Sequence, residues 1–245
     1  MKVWNDRPGQ RGELGRSELR GLFITSVGTG IGKTLVTAIL CHQLTFAGRM
    51  VRALKPVVSG FSPDDPASDP ALILRSLGQD PTPQSIAAIA PWRFATPISP
   101  HLAARMEGRT IRIDDVAAFC REQALESNGQ LLVEGAGGVM APIDDEHTGL
   151  DLMARLGHPV ILVTGSYLGA ISHTLTALAA LRWRGIVVRG IVVSESDHSV
   201  GLQDTIESLA QFVGTNVPVY ALPRLTGSDE EKWRAAPALM ALCDY

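Results

Sequence analysis

A glycine-rich segment that ends in lysine and threonine has the clearest chemical meaning in this sequence. It runs from Ser26 to Thr34 and reads SVGTGIGKT. Glycines let the backbone turn its N–H groups inward, where they and the start of a following helix can bind phosphate oxygens. Lys33 can reach the β- and γ-phosphates of a nucleotide, and the Thr34 hydroxyl is placed to bind Mg²⁺. The predicted nucleotide-binding residues of this segment are Gly30, Ile31, Gly32, Lys33 and Thr34.

The segment is a variant of the most common phosphate-binding pattern, G-x-x-x-x-G-K-[ST]. That pattern has its first glycine at the position of Val27. Partition and cell-division ATPases, which form a related class, carry an additional lysine early in the loop, where this chain has Gly28. The sequence therefore favours an enzyme, with a nucleotide-switched ATPase of the partition type as the alternative interpretation.

Two charged residues stand where predicted strands end. Lys55 follows the strand 51–54, and Glu134 follows the strand 131–133. In an open α/β sheet, ligands bind outside the carboxyl ends of the strands, and a buried lysine needs an anion. A glutamate at such a position can bind Mg²⁺ beside phosphates. The alternatives are a solvated lysine at position 55 and a carboxylate that caps the next turn at position 134.

A third carboxylate ligand for the metal is expected from the loop 59–70, which is rich in Pro, Ser and Asp. The candidates are Asp64, Asp65 and Asp69. Asp69 is preferred because it stands just before a helix predicted to start near Pro70. An N-cap aspartate is an equally good explanation of Asp69. The predicted metal ligands are therefore Thr34, Asp69 and Glu134.

Short apolar runs alternate with helical patterns from residue 21 onward, and the strands are nearly continuously apolar, as in parallel sheets covered on both faces. The predicted strands are 22–25, 51–54, 131–133, 160–163, 190–193 and 217–220. The predicted helices are 33–47, 100–107, 114–126, 173–184 and 203–212. This alternation predicts one α/β domain over residues 21–245, with a doubly wound, mostly parallel sheet of the P-loop NTPase type. Residues 1–20 are predicted to form a polar N-terminal extension.

The composition limits the possible functional classes. The net charge of −3 over 245 residues provides no basic footprint for nucleic acid. No stretch approaches the roughly 18 apolar residues that a membrane span needs, and the start of the chain lacks the apolar region of a signal peptide. The three cysteines are widely spaced, which indicates a reducing compartment. We expect a cytoplasmic protein without nucleic-acid or membrane partners.

Five blocks of residues occur in a characteristic order between about residues 21 and 222. They are Thr29 with Gly32–Thr34, Lys55–Val57 with Ser59–Gly60, Phe94–His101, Val133–Gly138, and Leu168–His173. Many enzymes share the glycine loop, but the other blocks are far more specific. Together they resemble the dethiobiotin synthase family.

The resemblance implies an ATP- and Mg²⁺-dependent ligase. Such an enzyme carboxylates 7,8-diaminononanoate with CO₂ and closes the ureido ring, which gives dethiobiotin, ADP and phosphate in biotin biosynthesis. The catalytic residues implied by the resemblance are Thr29, Lys33 and Lys55. The substrate-binding residues that it implies are Ser59, Gly135, Gly137, Gly138, Leu168 and Gly169.

The resemblance also implies a homodimer with sites at the interface. The segment 166–171 resembles the part that receives the substrate's tail carboxylate from the neighbouring subunit, and N–H groups at a helix start suit a carboxylate. Family members often have an asparagine after the late strand that reads the adenine edge. Ser194 stands there in this chain, with fewer paired donors and acceptors, and leaves the preference among nucleoside triphosphates open.

Overall fold

A parallel sheet and the helices around it position the candidate residues in a computed structural model, which describes residues 21–244. The strands are β1 (Gly21–Ser26), β2 (Val51–Leu54), β3 (Val57–Ser59), β4 (Trp92–Phe94), β5 (Gln130–Glu134), β6 (Val160–Gly165), β7 (Val188–Ser194) and β8 (Val219–Leu222). Six of them form one sheet in the order β2-β5-β1-β6-β7-β8, and every pair is parallel. The predicted α/β fold class is confirmed. The predicted extension, residues 1–20, lies outside the described residues.

Helices follow most strands. They are α1 (Lys33–Phe46), α2 (Asp69–Ser76), α3 (Pro83–Ile89), α4 (Pro100–Met106), α5 (Ile113–Glu126), α6 (Gly149–Leu156), α7 (Ala170–Trp183), α8 (Leu202–Val213) and α9 (Asp229–Ala235), with a 3₁₀ helix at Met240–Cys243. The central helix α1 buries Val36, Ile39 and Leu40, the spacing of one helical face. It stops where Gly48 takes a left-handed φ of 73°, as expected for a glycine after a helix end. None of the described helices has the length and apolar character that a bilayer span requires.

The strand order brings three loops to one place. β1 has β5 on one side, and β5 has β2 on its other side, with Ile24 opposite Glu134 and Leu54 opposite Val133. The carboxyl ends of the three strands are therefore level. Residues that follow β1, β2 and β5 consequently face a common space above the sheet, as the strand-end argument predicts.

Some predicted elements are wrong in detail. The last strand is Val219–Leu222 and not 217–220; Val217 is buried but stands before Pro218, which has no N–H for a strand ladder. Helix α7 begins at Ala170, three residues before His173, because Gly169 starts it with a φ of 99°. A second, two-stranded parallel sheet pairs β3 with β4, and its three-residue strands are too short to show a periodicity.

A buried histidine lies at the other end of the central strands, where β1 and β6 begin. His158 is 7% exposed, and neither ring nitrogen has a hydrogen-bond partner among residues 21–244. Its ring fills the space beside Gly21, where a Cβ would lie 2.4 Å from a ring atom. Burial, together with a smaller contribution from the charge of Arg121, lowers the pKa of His158 from 6.5 to about 4. The folded chain therefore holds this ring neutral.

This ring makes stability depend on pH. Between the unfolded pKa of 6.5 and the folded pKa of about 4, the unfolded chain binds a proton that the folded chain rejects. We expect the free energy of unfolding to fall by up to about 3 kcal/mol over this interval as the pH decreases. Urea unfolding of the wild type and His158→Leu at pH values from 7 to 4 tests this expectation. The variant should lose less stability in acid; parallel curves would contradict the assignment.

Candidate active site

The glycine loop connects β1 to α1 and leaves the start of the helix open. Gly30 and Gly32 have φ values of 71° and 96°, a region that other residues rarely adopt. A Cβ at Gly32 would also lie 2.8 Å from the Ser194 hydroxyl oxygen. No side chain caps α1, and its first turn holds no acidic residue. The N–H groups of this helix start are therefore available to an anion.

Lys33 is folded back over its own loop. Its Nζ donates to the Ser26 hydroxyl at 3.0 Å and to the Gly28 carbonyl at 3.2 Å, and the residue is 6% exposed. Burial lowers the pKa of the Lys33 amine to about 8, and the charge of nearby Lys55 contributes in the same direction. A lysine that contacts only neutral oxygens gains strongly from an added anion.

Lys55 is buried between two carboxylates. It is 3% exposed, and its Nζ contacts Glu134 Oε1, Asp69 Oδ2 at 2.9 Å and the Gly135 carbonyl at 3.2 Å. Burial would lower the pKa of the Lys55 amine, but the charges of Glu134 and Asp69 and the hydrogen bonds to them outweigh burial and raise it. The predicted functional position is thus a charged, buried amine, and the alternative of a solvated lysine is wrong.

Asp69 is the loop carboxylate that reaches this amine. Ser68 occupies the N-cap position of α2, and Asp69 is the first helical residue, so the interpretation of Asp69 as an N-cap is wrong. Burial would raise the pKa of Asp69, but Lys55 and a hydrogen bond from Thr34 contribute to lowering it. Asp64 and Asp65 are exposed in the loop, where Asp65 accepts the Ala67 N–H at 2.9 Å.

Glu134 connects the two lysine-bearing loops. It is fully buried, and its Oε1 accepts a hydrogen bond from the Thr34 hydroxyl at 2.8 Å as well as from Lys55. Its Oε2 is buried without a hydrogen-bond partner in the described part of the chain. Buried carboxylate oxygens seldom stay unpaired, and a hard divalent cation binds such oxygens. This oxygen, with the adjacent Thr34 hydroxyl and Asp69, fits a magnesium site.

The glycines after Glu134 permit close backbone packing against the phosphate loop. A Cβ at Gly138 would lie 3.1 Å from the Gly28 nitrogen. The Gly137 carbonyl accepts a hydrogen bond from Ser26 at 3.2 Å, with Gly137 itself at a φ of 64°. The exposed Thr29 side chain lies near the same turn, 3.8 Å from where a Gly137 Cβ would be. A larger residue at Gly138 would therefore press against the backbone of the phosphate loop, and one at Gly137 would clash with Ala141.

Comparisons with known proteins identify the kind of enzyme that carries such a site. A family model described as an AAA domain matches residues 20–232. The chain is 46% identical over 226 residues to the ATP-dependent dethiobiotin synthetase BioD of Caulobacter sp. (strain K31), across 91% of this chain and 93% of that protein. The chain belongs to the ATP-dependent dethiobiotin synthetase family. The BioD protein of Methylobacterium nodulans (strain LMG 21967 / CNCM I-2342 / ORS 2060) is 46% identical over 204 residues, or 80% of this chain and 90% of that protein.

Solved structures show that the fold extends beyond dethiobiotin synthetases. A ParA family ATPase from Chlorobium tepidum TLS is similar with a TM-score of 0.51 and 14% identity, over 90% of this chain and 91% of that chain. A chain of the MinC:MinD cell division protein complex from Aquifex aeolicus gives 0.52 and 14%, over 87% and 85%. At this identity the likeness concerns the P-loop fold alone, so it does not favour the partition-type interpretation over the sequence relatives.

The site of this dethiobiotin synthetase family member continues into a cleft of about 600 Å³. One end is the glycine loop with Thr34, and the other lies beyond the carboxyl ends of β7 and β8. The lining residues for which the sequence predicted no role are Leu35, Ala38, Leu72, Glu195, Ser196, Asp197, His198, Pro223, Arg224, Leu225, Asp229, Lys232 and Trp233. Tyr167, which also lines the cleft, belongs to the segment 166–171 predicted to receive a substrate carboxylate. Ser194, which was predicted, lies among them. The strand-end rule could have indicated the residues after β7 and β8, but no motif marks them.

Direct contacts connect only some of the predicted residues. Thr34, Lys55, Asp69 and Glu134 form one contact cluster. The charge of Lys33 acts on Lys55, Asp69 and Glu134, but the hydrogen bonds of its amine within residues 21–244 go to Ser26 and Gly28. Ser59 is half-buried at the end of β3, and Leu168 is exposed in the turn before α7, next to Gly169. These three lie outside the set of contacts that defines the cluster. Their substrate-binding roles stay predictions.

Proposed function

We propose that this chain is a working dethiobiotin synthase, which carboxylates 7,8-diaminononanoate and closes the ureido ring with ATP. The observation that supports it most strongly is the convergence of Lys33, Lys55 and Glu134 at the ends of three strands, in a chain of the dethiobiotin synthetase family. The reaction joins two anions, a carbamate and a triphosphate. Two ammonium groups next to one phosphate loop suit that task.

The reaction in this proposal has three steps. One substrate amine attacks the carbon of CO₂ and loses a proton, which gives a carbamate. A carbamate oxygen attacks the γ-phosphorus as the bond to ADP breaks, which gives a mixed anhydride. The second amine attacks the carbamate carbon, phosphate leaves with the bridging oxygen, and the ring closes. No step needs a covalent bond to the protein, so positioning and charge supply the acceleration.

The residues divide these tasks between them. Lys55 is proposed to hold the carbamate, and Lys33 with the N–H groups of residues 30–34 to hold the β- and γ-phosphates. Thr29 and Ser59 are proposed to donate to phosphate and carbamate oxygens. Both lysines are already buried and positioned before substrate arrives, which reduces reorganisation at the moment of reaction.

Mg²⁺ is part of the proposal. Thr34, Asp69 and Glu134 would hold it, and it would neutralise the charge on the β- and γ-phosphate oxygens. Within residues 21–244 no group of three or more His, Cys, Asp and Glu side chains has a metal-binding arrangement. The two carboxylates and the hydroxyl would therefore share the ion with phosphate and water, as magnesium sites commonly do.

The remaining substrate contacts are proposed from the family resemblance. Gly135, Gly137 and Gly138 would let the substrate approach the backbone closely. Leu168 and Gly169, at the start of α7, would receive the tail carboxylate of a substrate bound in the neighbouring subunit of a homodimer. The 86% exposure of the Leu168 side chain fits a residue that awaits a partner surface. A cytoplasmic location completes the proposal, in keeping with three free, buried cysteines.

Product identification tests the proposed function. Purified chain is incubated with 7,8-diaminononanoate, bicarbonate, Mg²⁺ and each of the four nucleoside triphosphates, and products are analysed by mass spectrometry. We expect dethiobiotin together with stoichiometric phosphate. Absence of dethiobiotin with every nucleotide would refute the proposal. The relative rates measure the base preference that Ser194 leaves open.

The lowered pKa of Lys33 predicts proton uptake on nucleotide binding. Free Lys33 loses its proton near pH 8, whereas a bound triphosphate favours the charged amine. Above pH 8 the affinity for a non-hydrolysable ATP analogue should fall by up to about tenfold per pH unit. Calorimetry at pH 9 in buffers of different ionisation enthalpy should detect uptake of about one proton per nucleotide. Lys33→Met, as the control, should show none; equal uptake by both proteins would contradict the assignment.

A further inference from the structure

Hydrogen bonds of serine residues join two loops at the carboxyl ends of β6 and β7. The loop after β6, residues 166–169, is called here the tail loop, and the loop 194–201 is called the nucleoside loop. The Ser166 N–H donates to the Ser196 hydroxyl at 3.1 Å, and the Ser196 N–H donates back to the Ser166 hydroxyl at 3.0 Å. This reciprocal pair fixes the distance between the two backbones.

Further bonds start from the same serine. The Ser166 hydroxyl bonds to the Ser199 hydroxyl at 2.7 Å, and its carbonyl accepts the Val200 N–H at 2.7 Å. Ser199 in turn accepts the Gly201 N–H at 3.1 Å. Ser166 is fully buried, whereas Ser199 is exposed. Ser166 thus uses its N–H, its carbonyl and its hydroxyl to bind the nucleoside loop.

Tyr167, the residue after Ser166, links the two loops to the cleft. Tyr167 lines the cleft, and its hydroxyl forms a hydrogen bond of 2.8 Å with His173 Nδ1 on α7. A Cβ at Gly165 would lie 2.7 Å from the Tyr167 ring and 2.6 Å from the Ser196 hydroxyl. A shift of the nucleoside loop therefore cannot occur without a shift of Tyr167 and the tail loop.

We propose that Ser166 is a positioning residue that holds the nucleoside loop and the tail loop in one geometry, so that the affinity for nucleotide and the affinity for diamine both depend on it. This inference rests on the proposed function, in which the tail loop receives the substrate carboxylate. Because that carboxylate belongs to a substrate in the neighbouring subunit, Ser166 also connects the nucleotide site of one subunit with the diamine site of the other. Ser166 acts through Ser196, Ser199 and Tyr167 and touches neither reactant.

Kinetics of matched variants test the proposal. Ser166→Ala should raise KM for ATP and KM for diaminononanoate each by about five- to tenfold, with a smaller effect on kcat, because it removes the two hydrogen bonds of the buried Ser166 hydroxyl. Ser199→Ala removes one of these two bonds, together with the bond from the Gly201 N–H. Because Ser199 is exposed, we expect the variant to fold and to raise both KM values by about two- to threefold. Thr174→Val is the control, since it removes the buried hydrogen bond of 2.7 Å that Thr174 on α7 donates to the Thr164 hydroxyl on β6 and should change neither KM.

A second measurement uses binding alone. Calorimetry gives the Kd of a non-hydrolysable ATP analogue with and without diaminononanoate, and the ratio of the two values should be closer to one in Ser166→Ala than in the wild type. A Ser166→Ala effect on one KM only, no effect on either, or equal effects of Thr174→Val would overturn the proposal. A wild type that forms no dethiobiotin would instead refute the proposed function, so the two failures are distinct.

Discussion

Lys55→Met is expected to lower kcat by about 10²–10³-fold and to change the Kd of an ATP analogue by less than about threefold. The amine is proposed to meet the carbamate as charge develops between it and the γ-phosphate. Its loss should therefore affect the transition state much more than nucleotide binding. Single-turnover kinetics and calorimetry on the same preparation measure the two quantities. Loss of nucleotide affinity equal to the loss of kcat would place Lys55 on the triphosphate.

The same substitution should destabilise the fold. Lys55→Met leaves the fully buried Glu134 carboxylate without its cation. Removing one partner of a buried ion pair lowers the free energy of unfolding by about 3–5 kcal/mol. The double variant Lys55→Met/Glu134→Gln removes both charges and should recover most of this loss without recovering activity. Arg234→Met, at a side chain 70% exposed, is the control and should change neither quantity. Activity in the double variant would contradict the proposed role of Lys55.

Lys33→Met is expected to affect both binding and turnover. A lost charge-assisted contact to the triphosphate should weaken the Kd of the ATP analogue by about 10–100-fold, and kcat should fall by a further factor of about 10² or more. Within residues 21–244 the Lys33 amine donates its hydrogen bonds to the neutral oxygens of Ser26 and Gly28, while Glu134 and Asp69 retain Lys55 as their cation. Its removal leaves no unpaired charge, so stability should stay equal or increase, the opposite of Lys55→Met.

Calorimetry, rapid-quench kinetics and urea unfolding of Lys33→Met test this contrast. Nucleotide affinity equal to that of the wild type would show that the phosphates bind elsewhere. If Lys33→Met lost as much stability as Lys55→Met, Lys33 would have to form an ion pair that the structure does not show.

Local signals were enough for the centre of the site. An apolar run, a cluster of glycines and a helical pattern from Lys33 onward predicted the strand, loop and helix between Gly21 and Phe46. The structure has these elements, with Gly30 and Gly32 at positive φ. Lys55 and Glu134 could be found because each follows directly after a buried strand, where parallel sheets bind ligands. Neither argument depends on the order of strands in the sheet.

The partner of Asp69 could not be predicted. Its contact with Lys55 joins the end of β2 to the start of α2 across the loop between them, and the path of that loop is not encoded in any single segment. From the sequence alone an N-cap role was equally good, since an aspartate beside a helix start with proline satisfies the capping rule. The fold decided the matter when it placed Ser68 at the cap and the carboxylate against a buried amine.

The lining of the cleft and the contacts between the nucleoside loop and the tail loop were harder still to predict. Tyr167, Glu195 and Trp233 come from three separate segments, and their types recur in any packed domain. The hydrogen bonds of Ser166 join residues about thirty positions apart, and serine has no periodicity that would reveal them. Such contacts appear only when the loops after β6 and β7 are placed side by side.

Oxygen transfer from CO₂ to phosphate is the most direct test of the central claim, that the cluster holds a carbamate against the γ-phosphate. The chain is mixed with 7,8-diaminononanoate, ATP and Mg²⁺, and the reaction starts with ¹⁸O-labelled bicarbonate in unlabelled water, with quenching before the label exchanges. The account predicts one labelled oxygen in each phosphate released with dethiobiotin, and none without the diamine. Dethiobiotin formed together with unlabelled phosphate would contradict the account, because no carbamate oxygen would then have attacked the γ-phosphorus.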